Sequence, residues 1–365
     1  MNIVNILLTH RNGGLEQAFY DYSLLLHQLG HQVIAIVRED APYIDKISEI
    51  GVKIVKIKNN FGYIDLLAIK NLKNIFNEFD IDVVFSHAGR STQLCRKAIK
   101  RIKQKKIFQI AVNHSNNIKR SIGCDLIFSV NKQIFYRTID AGQPENRSFV
   151  MHNGIEVENI SDYFEPVNFD KKPVITLGVI GTIDENKGFD YVVRALDLLR
   201  QEVIDYRFLL KIAGSGPYVP YLQSLIKKLD IEPEAVEFLG WIEDKKKFFN
   251  EIDIFILPSI SEPFGLVILE AMKYKKPIIA TCCDGPLEIL RHNIEGQLVV
   301  REPLTSLHYR IRDSVYKLIS NSLETNEMIA SAYSRLKQRF SYSVLKNNLA
   351  EFVGDETKKS KNKNF

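Results

Sequence analysis

Glu262 and Glu270 stand eight positions apart in Ser261-Glu262-Pro263-Phe264-Gly265-Leu266-Val267-Ile268-Leu269-Glu270-Ala271, on either side of a Pro-Phe-Gly break that opens a helix. Glu262 falls in the loop. The amides of Phe264, Gly265 and Leu266 form the first helical turn, lack carbonyl partners of their own, and so make a site for an anion. Glu270 follows in the second turn, close enough to the same crevice to accept hydrogen bonds from hydroxyl groups. Two acceptors flanking an anion-binding turn suit a sugar nucleotide, with Glu262 reading the sugar hydroxyls and Glu270 the ribose. Lys187, just ahead of Gly188, can project from a loop and neutralise a diphosphate as charge develops on it. Spacing alone is weak evidence, because a helix start also favours an acid through its dipole.

These residues need a scaffold that delivers them to one edge. Asp253-Ile254-Phe255-Ile256-Leu257-Pro258 is a short apolar run closed by proline, which predicts a buried parallel strand ending at the site. In open α/β sheets ligands sit at that carboxyl end. Upstream, short apolar runs at 2–8, 32–37, 52–56, 82–86, 107–112, 126–130 and 148–151 alternate with amphipathic stretches such as 16–29 and 64–79. A second rhythm starts at Val174 and continues through 208–213, 236–239, 253–257 and 277–280. The predicted fold class is α/β, with two Rossmann-like doubly wound domains. The expected divisions are a first domain at 1–160, a linker at 161–173 and a second domain at 174–340. Gly13-Gly14 follows the first strand, and two glycines permit close backbone approach to a ligand. The three glycines of a dinucleotide fingerprint are absent there. His114 and His87 each end a predicted strand, and a lone histidine in such a place is more often a packed side chain.

The surroundings of the two glutamates resemble the retaining GT-B glycosyltransferases of the glycogen synthase-like group, family 4, whose signature is Glu, seven residues, Glu. The likeness continues through Lys276-Pro277-Ile278-Ile279-Ala280-Thr281, Gly285-Pro286-Leu287-Glu288 and Glu295-Gly296-Gln297-Leu298-Val299. It also reaches Gly181-Thr182, Lys187-Gly188, Ile212-Ala213-Gly214-Ser215-Gly216-Pro217 and Phe238-Leu239-Gly240-Trp241. It is dense over 174–300 and thin over 1–160. The resemblance implies a cleft between two domains, with Glu262, Lys187 and His114 at the chemistry. Gly13, Gly14, Thr182, Gly216, Phe264, Gly265, Leu266 and Glu270 would line the donor site. It places His114 near the transferred sugar, and a helix at 341–353 back on the first domain. One position departs from the pattern: the family usually pairs the lysine with an arginine after the glycine, and Thr182 stands there. A hydroxyl carries no charge and cannot replace a guanidinium, which leaves Arg11, beside Gly13-Gly14, as a candidate substitute.

The 365 residues carry 45% hydrophobic content, enough for two cores. No run of about eighteen apolar residues predicts a membrane span. Cys95, Cys124, Cys282 and Cys283 show no zinc-site spacing and read as reduced thiols of a cytoplasmic protein. Asp80-Ile81-Asp82 precedes its strand and reads as a solvated turn, so no metal and no cofactor are expected. Residues 1–160 hold 21 Lys and Arg against 15 Asp and Glu, which concentrates the net +5 in the first half. Eight of these basic residues lie between Arg90 and Lys106, with Leu94, Cys95, Ala98, Ile99 and Ile102 at helical spacing. That stretch reads either as a helix resting on the anionic inner face of the cytoplasmic membrane or as an ordinary surface helix. Nucleic acid is not an expected partner, since the patch lacks interleaved aromatics. The basic tail, 354–365, is low in apolar content and expected to be disordered.

The expected function is a glycosyltransferase that moves a sugar from a nucleotide diphosphate to a glycan or glycolipid hydroxyl, with retention of configuration. A lipid-linked or lipopolysaccharide-type acceptor is favoured by the basic first half. A soluble acceptor, or a non-catalytic nucleotide-sugar-binding protein, stands as the alternative.

Overall fold

The computed structural model describes residues 1–58, 65–157, 163 and 165–361. Among them the chain forms two compact units. One comprises Met1–Ile155 with Ser341–Phe365, and the other Glu156–Phe340.

The first unit is built on strands β1 (Asn2–Leu7), β2 (Gln32–Arg38), β3 (Lys53–Ile57), β4 (Val83–His87), β5 (Phe108–Asn113), β6 (Leu126–Ser129) and β7 (Ser148–Val150). They form one parallel sheet in the order β3-β2-β1-β4-β5-β6-β7. The second unit carries β8 (Val174–Ile180), β9 (Arg207–Ala213), β10 (Val236–Gly240), β11 (Ile254–Leu257), β12 (Ile278–Thr281) and β13 (Gln297–Val299). Its order is β10-β9-β8-β11-β12-β13, again parallel. The expected α/β class with two doubly wound sheets is what the chain adopts. Ile254, Phe255, Ile256 and Leu257 are each at most 1% exposed, as a strand covered by helices on both faces must be.

In each sheet the strand order reverses once, between β1 and β4 in the first and between β8 and β11 in the second. Connections from neighbouring strands leave to opposite faces at such a point and open a crevice beyond the strand ends. The sequence places Gly13 after β1, His87 at the end of β4, Lys187 after β8 and Glu262 after β11.

Two boundaries differ from those expected. The linker expected at 161–173 lies partly outside the described residues, and its later part belongs to the second unit. Phe169 is fully buried in that unit's core. The Val167 amide donates to Asn326 Oδ1 at 2.9 Å, and the Phe169 amide to Ser322 Oγ at 3.2 Å. Regular periodicity resumes only at Val174, so those contacts carry no local signal. The second difference is the tail expected to be disordered from 354. The helix Tyr342–Lys361 runs eight residues past Val353, and 362–365 lie outside the described residues. It is anchored in the first unit by Leu345, Leu349 and Val353, which share a core with Ile3, Tyr22, Phe85 and Phe128. Each such side chain contributes about 1.5–3 kcal/mol by leaving water. Phe352 packs on Phe128 and Phe149 with ring centroids 5.1 and 4.4 Å away.

The helix Ala88–Ile99 settles how its apolar stripe is used. Leu94, Cys95 and Ala98 are buried and Ile99 and Ile102 are packed in one core with Leu72 and Phe76 of the helix Leu66–Glu78. The stripe is thus unavailable for insertion into lipid, which corrects that half of the membrane expectation. Arg96 donates to the carbonyls of Arg120 and Ser121, and Lys105 pairs with Asp80 and Asp82. Lys100, Arg101, Lys103 and Lys106 remain exposed. Among the described residues no helix is long and apolar enough to cross a membrane.

Candidate active site

Lys187 and Glu262 meet at the carboxyl edge of the second sheet. Lys187 closes a short 3-10 turn, Glu185–Lys187, after β8. The Ile260 amide donates to the Asn186 carbonyl at 2.7 Å, which ties this turn to the loop after β11. Lys187 Nζ then donates to Glu262 Oε2 at 2.6 Å, with both side chains partly exposed. The sequence proposed both residues, and the tertiary fold brings them into contact across 75 positions of chain.

The helix after Glu262 begins at Leu266 and runs to Lys273, with Gly265 as its N-cap at φ 92°. Glycine is suited to this position because a Cβ in the left-handed region is strained, and one here would also meet Glu262 Cγ and Ile268 Cδ1 at 3.3 Å. The amides of Gly265 and Leu266 donate to no acceptor among the described residues. Amides left free at a helix start are suited to an anion. Phe264 departs from it: the residue precedes the helix, and its ring is buried against Phe340 at 6.1 Å. Its role there is to seat the loop in the core.

Glu270 lies in the second turn of this helix. Lys245 Nζ donates to Glu270 Oε1 at 2.6 Å, while Oε2 is buried with no hydrogen-bond partner among the described residues. Ser259 Oγ and Asp184 Oδ1, on the loops after β11 and β8, are orphaned in the same way. Buried polar atoms are normally satisfied, and these three orphans lie on the connections that leave the carboxyl ends of β8 and β11. Lys245 was not singled out by sequence reasoning. It lies in a charged run, Glu243-Asp244-Lys245-Lys246-Lys247, where no spacing distinguishes it from its neighbours.

Gly216 acts on the site through the backbone. A Cβ there would stand 2.2 Å from the Ile183 carbonyl oxygen, because the loop after β9 clamps the one after β8. The Ile183 amide donates to the Ser215 carbonyl at 2.9 Å, and the Tyr218 amide to the Ile183 carbonyl at 3.0 Å. Thr182, inside the clamped loop, is exposed.

In the first unit, Gly13 is extended, at φ −173°, and Gly14 opens the helix Gly14–Gln28. Neither the backbone nor the surroundings of Gly13 demand glycine, for a Cβ would meet only Glu16 Oε2 at 3.6 Å. Arg11 is exposed in the same loop. His10 Nδ1 lies 2.7 Å from the Asp40 carbonyl oxygen. His114 follows β5, and its Nε2 lies 2.9 Å from Nδ1 of His87, whose Nε2 is 2.8 Å from Asn5 Oδ1. Burial pushes the His114 imidazole down to about 4 and that of His87 well below the ordinary histidine value. Lowered folded values mean that the unfolded chain binds more protons than the folded protein between about pH 6.5 and about pH 4. Stability is therefore expected to fall as the pH drops through that window. A His114→Asn variant should lose less stability than the parent over it, as measured by urea unfolding at several pH values.

Comparison with known proteins gives the family. The model of the glycosyl transferases group 1 matches residues 159–335, and that of glycosyltransferase family 4 matches 12–159. The chain belongs to this glycosyltransferase family. Among curated relatives of this family member, an uncharacterized glycosyltransferase of Methanocaldococcus jannaschii is 31% identical over 166 residues, 42% of this chain and 41% of that protein. The amylovoran biosynthesis glycosyltransferase AmsK of Erwinia amylovora is 21% identical over 297 residues, 75% of this chain and 70% of its own. The chain spans 41% and 65% of the first two curated relatives it matches. Among solved structures, Anabaena HepE in complex with UDP and glucose shares the fold with a TM-score of 0.80. That match covers 97% of this chain and 100% of HepE at 19% identity.

Proposed function

We propose that this family member is a retaining glycosyltransferase that moves a sugar from a nucleotide diphosphate to a hydroxyl of a cell-envelope glycan. The observation that carries the reading is the joint placement of Lys187, Glu262, the Gly265 and Leu266 amides and Glu270 at the carboxyl edge of β8 and β11. The amides and Lys187 suit a diphosphate, and the second oxygen of Glu270 suits a ribose hydroxyl. In the proposed step the bond from the anomeric carbon to the phosphate oxygen breaks and a bond to the acceptor oxygen forms on the same face. The acceptor's proton passes to the leaving phosphate oxygen. Lys187 and the two amides stabilise the charge that accumulates there.

HepE's complex with UDP and glucose supports a UDP-sugar as the donor class. The AmsK likeness and the basic first half of the chain favour an acceptor in envelope polysaccharide assembly, lipid-linked or of lipopolysaccharide type. Contact with anionic lipid then rests on charge alone, through Lys100, Arg101, Lys103 and Lys106. A second reading, a protein that binds nucleotide sugar without transferring it, is favoured by Thr182, an exposed hydroxyl where the family usually carries a guanidinium.

The test is a thermal-shift and hydrolysis panel of UDP-, GDP- and ADP-sugars. A selective rise in melting temperature with UDP-sugars, lost in Glu270→Ala and accompanied by slow hydrolysis, is expected. Binding without turnover, with turnover gained in Thr182→Arg, would establish the second reading. No shift with any donor would sink both.

A further inference from the structure

We propose that His87 is a positioning residue. In a hydrogen-bonded chain that begins at Asn5, it fixes His114 in the tautomer that offers an unprotonated Nδ1 as acceptor for a carbohydrate hydroxyl. The identity of that ligand rests on the glycosyltransferase reading, whereas the tautomer follows from geometry.

Ser23 Oγ donates to the Phe19 carbonyl at 2.9 Å, so its oxygen meets Asn5 as an acceptor. Asn5 Nδ2 donates to the Phe19 carbonyl and to Ser23 Oγ, each at 2.9 Å. Both amide hydrogens are thereby committed. Turning the amide over would set its oxygen against a carbonyl oxygen, so Oδ1 is the atom that faces His87 Nε2 at 2.8 Å. An acceptor at that distance requires Nε2 of His87 to carry the hydrogen. A neutral imidazole has a single N–H, which leaves His87 Nδ1 as an acceptor. His114 Nε2, 2.9 Å away, must then donate to it. No other hydrogen bond to the His114 ring occurs among the described residues, and its Nδ1 keeps a free lone pair.

The chain is rigid because Asn5 and His87 are both fully buried. Phe19 and Tyr22 hold the His87 ring edge-on, with centroids 5.8 and 5.1 Å away. Tyr22 is the titratable side chain facing His87 from the helix Gly14–Gln28, and burial keeps it a neutral phenol. Burial likewise keeps both imidazoles neutral near pH 7, so the single-N–H argument applies.

The experiment is a long-range proton–nitrogen NMR spectrum of the 15N-labelled full chain near pH 7, with donor turnover measured alongside. The expected wild-type signature is a protonated Nε2 and an unprotonated Nδ1 on both rings. His87→Phe keeps a ring of similar size and removes the acceptor. His114 should then exchange between tautomers, and turnover should fall about ten- to a hundredfold, as for a misplaced reacting group. His87→Gln, which can accept from His114 and donate to Asn5, should restore part of both. A protonated Nδ1 on His114 in the wild type would overturn the proposal, as would a changed tautomer in His87→Phe with unchanged turnover. A wild-type protein that turned over no nucleotide sugar would sink the glycosyltransferase reading, and the spectrum would still decide the tautomer.

Discussion

Lys187→Ala is expected to lower donor turnover by about two to three orders of magnitude, the usual cost of removing a group aimed at developing charge. The ammonium touches Glu262 Oε2 at 2.6 Å, so in the proposed complex the donor phosphate and the carboxylate would share one cation. Glu262→Gln should cause a loss of similar size. The double variant should lose little more than either single one, because each change breaks the same constellation. Stability is the control. Both side chains keep only partial contact with water, so leaving one of them unpaired is expected to cost about 1–3 kcal/mol. The stability of either variant should therefore drop by no more than that, measured by urea unfolding, while turnover collapses. Turnover within a factor of two of wild type in Lys187→Ala would remove this residue from the diphosphate.

Gly216→Ala should act on both quantities. The added methyl would stand 2.2 Å from the Ile183 carbonyl oxygen and 2.7 Å from its carbon, and backbone cannot step aside as a side-chain end can. Overpacking of this sort costs typically about 1–3 kcal/mol, readable in urea unfolding. The strain falls on the loop of Thr182 and Asp184, which leads into the Lys187 turn, so donor affinity should fall with stability. A Gly216→Ala protein with the parent's unfolding midpoint would show that the two loops separate readily and that the clamp is not structural.

These two expectations differ in how far the sequence anticipates them. Glu262, Glu270 and Gly265 are legible because they belong to one strand-turn-helix unit, where spacing fixes which groups share an edge. The buried strands are legible too, since a run such as Ile254-Phe255-Ile256-Leu257 must be covered on both faces. The Lys187–Glu262 pair is only half legible: each residue has a local reason to sit at a nucleotide-sugar site, and nothing local sets their separation. Gly216 enters the sequence reading only through the likeness, as lining the donor site, whereas its main contact is the backbone of Ile183, on a different loop.

What the sequence determines by itself is therefore what short-range periodicity encodes: two α/β rhythms, the strand ends, and the helix opened at Gly265. The fold alone decides what depends on contacts distant in the chain. Phe169 joins the second unit because its ring is buried there, although the regular pattern starts later at Val174. The stripe of Leu94, Cys95 and Ala98 could face lipid or core by periodicity, and the helix Leu66–Glu78 takes it into the core. His87, one more strand-end histidine in the sequence, becomes the partner of His114 because β4 and β5 lie side by side. Lys245 gains its place only when folding brings it to Glu270, 25 positions away. Hydrogen bonds and ion pairs act over about 3 Å, and residues far apart in sequence come within that range only through tertiary packing.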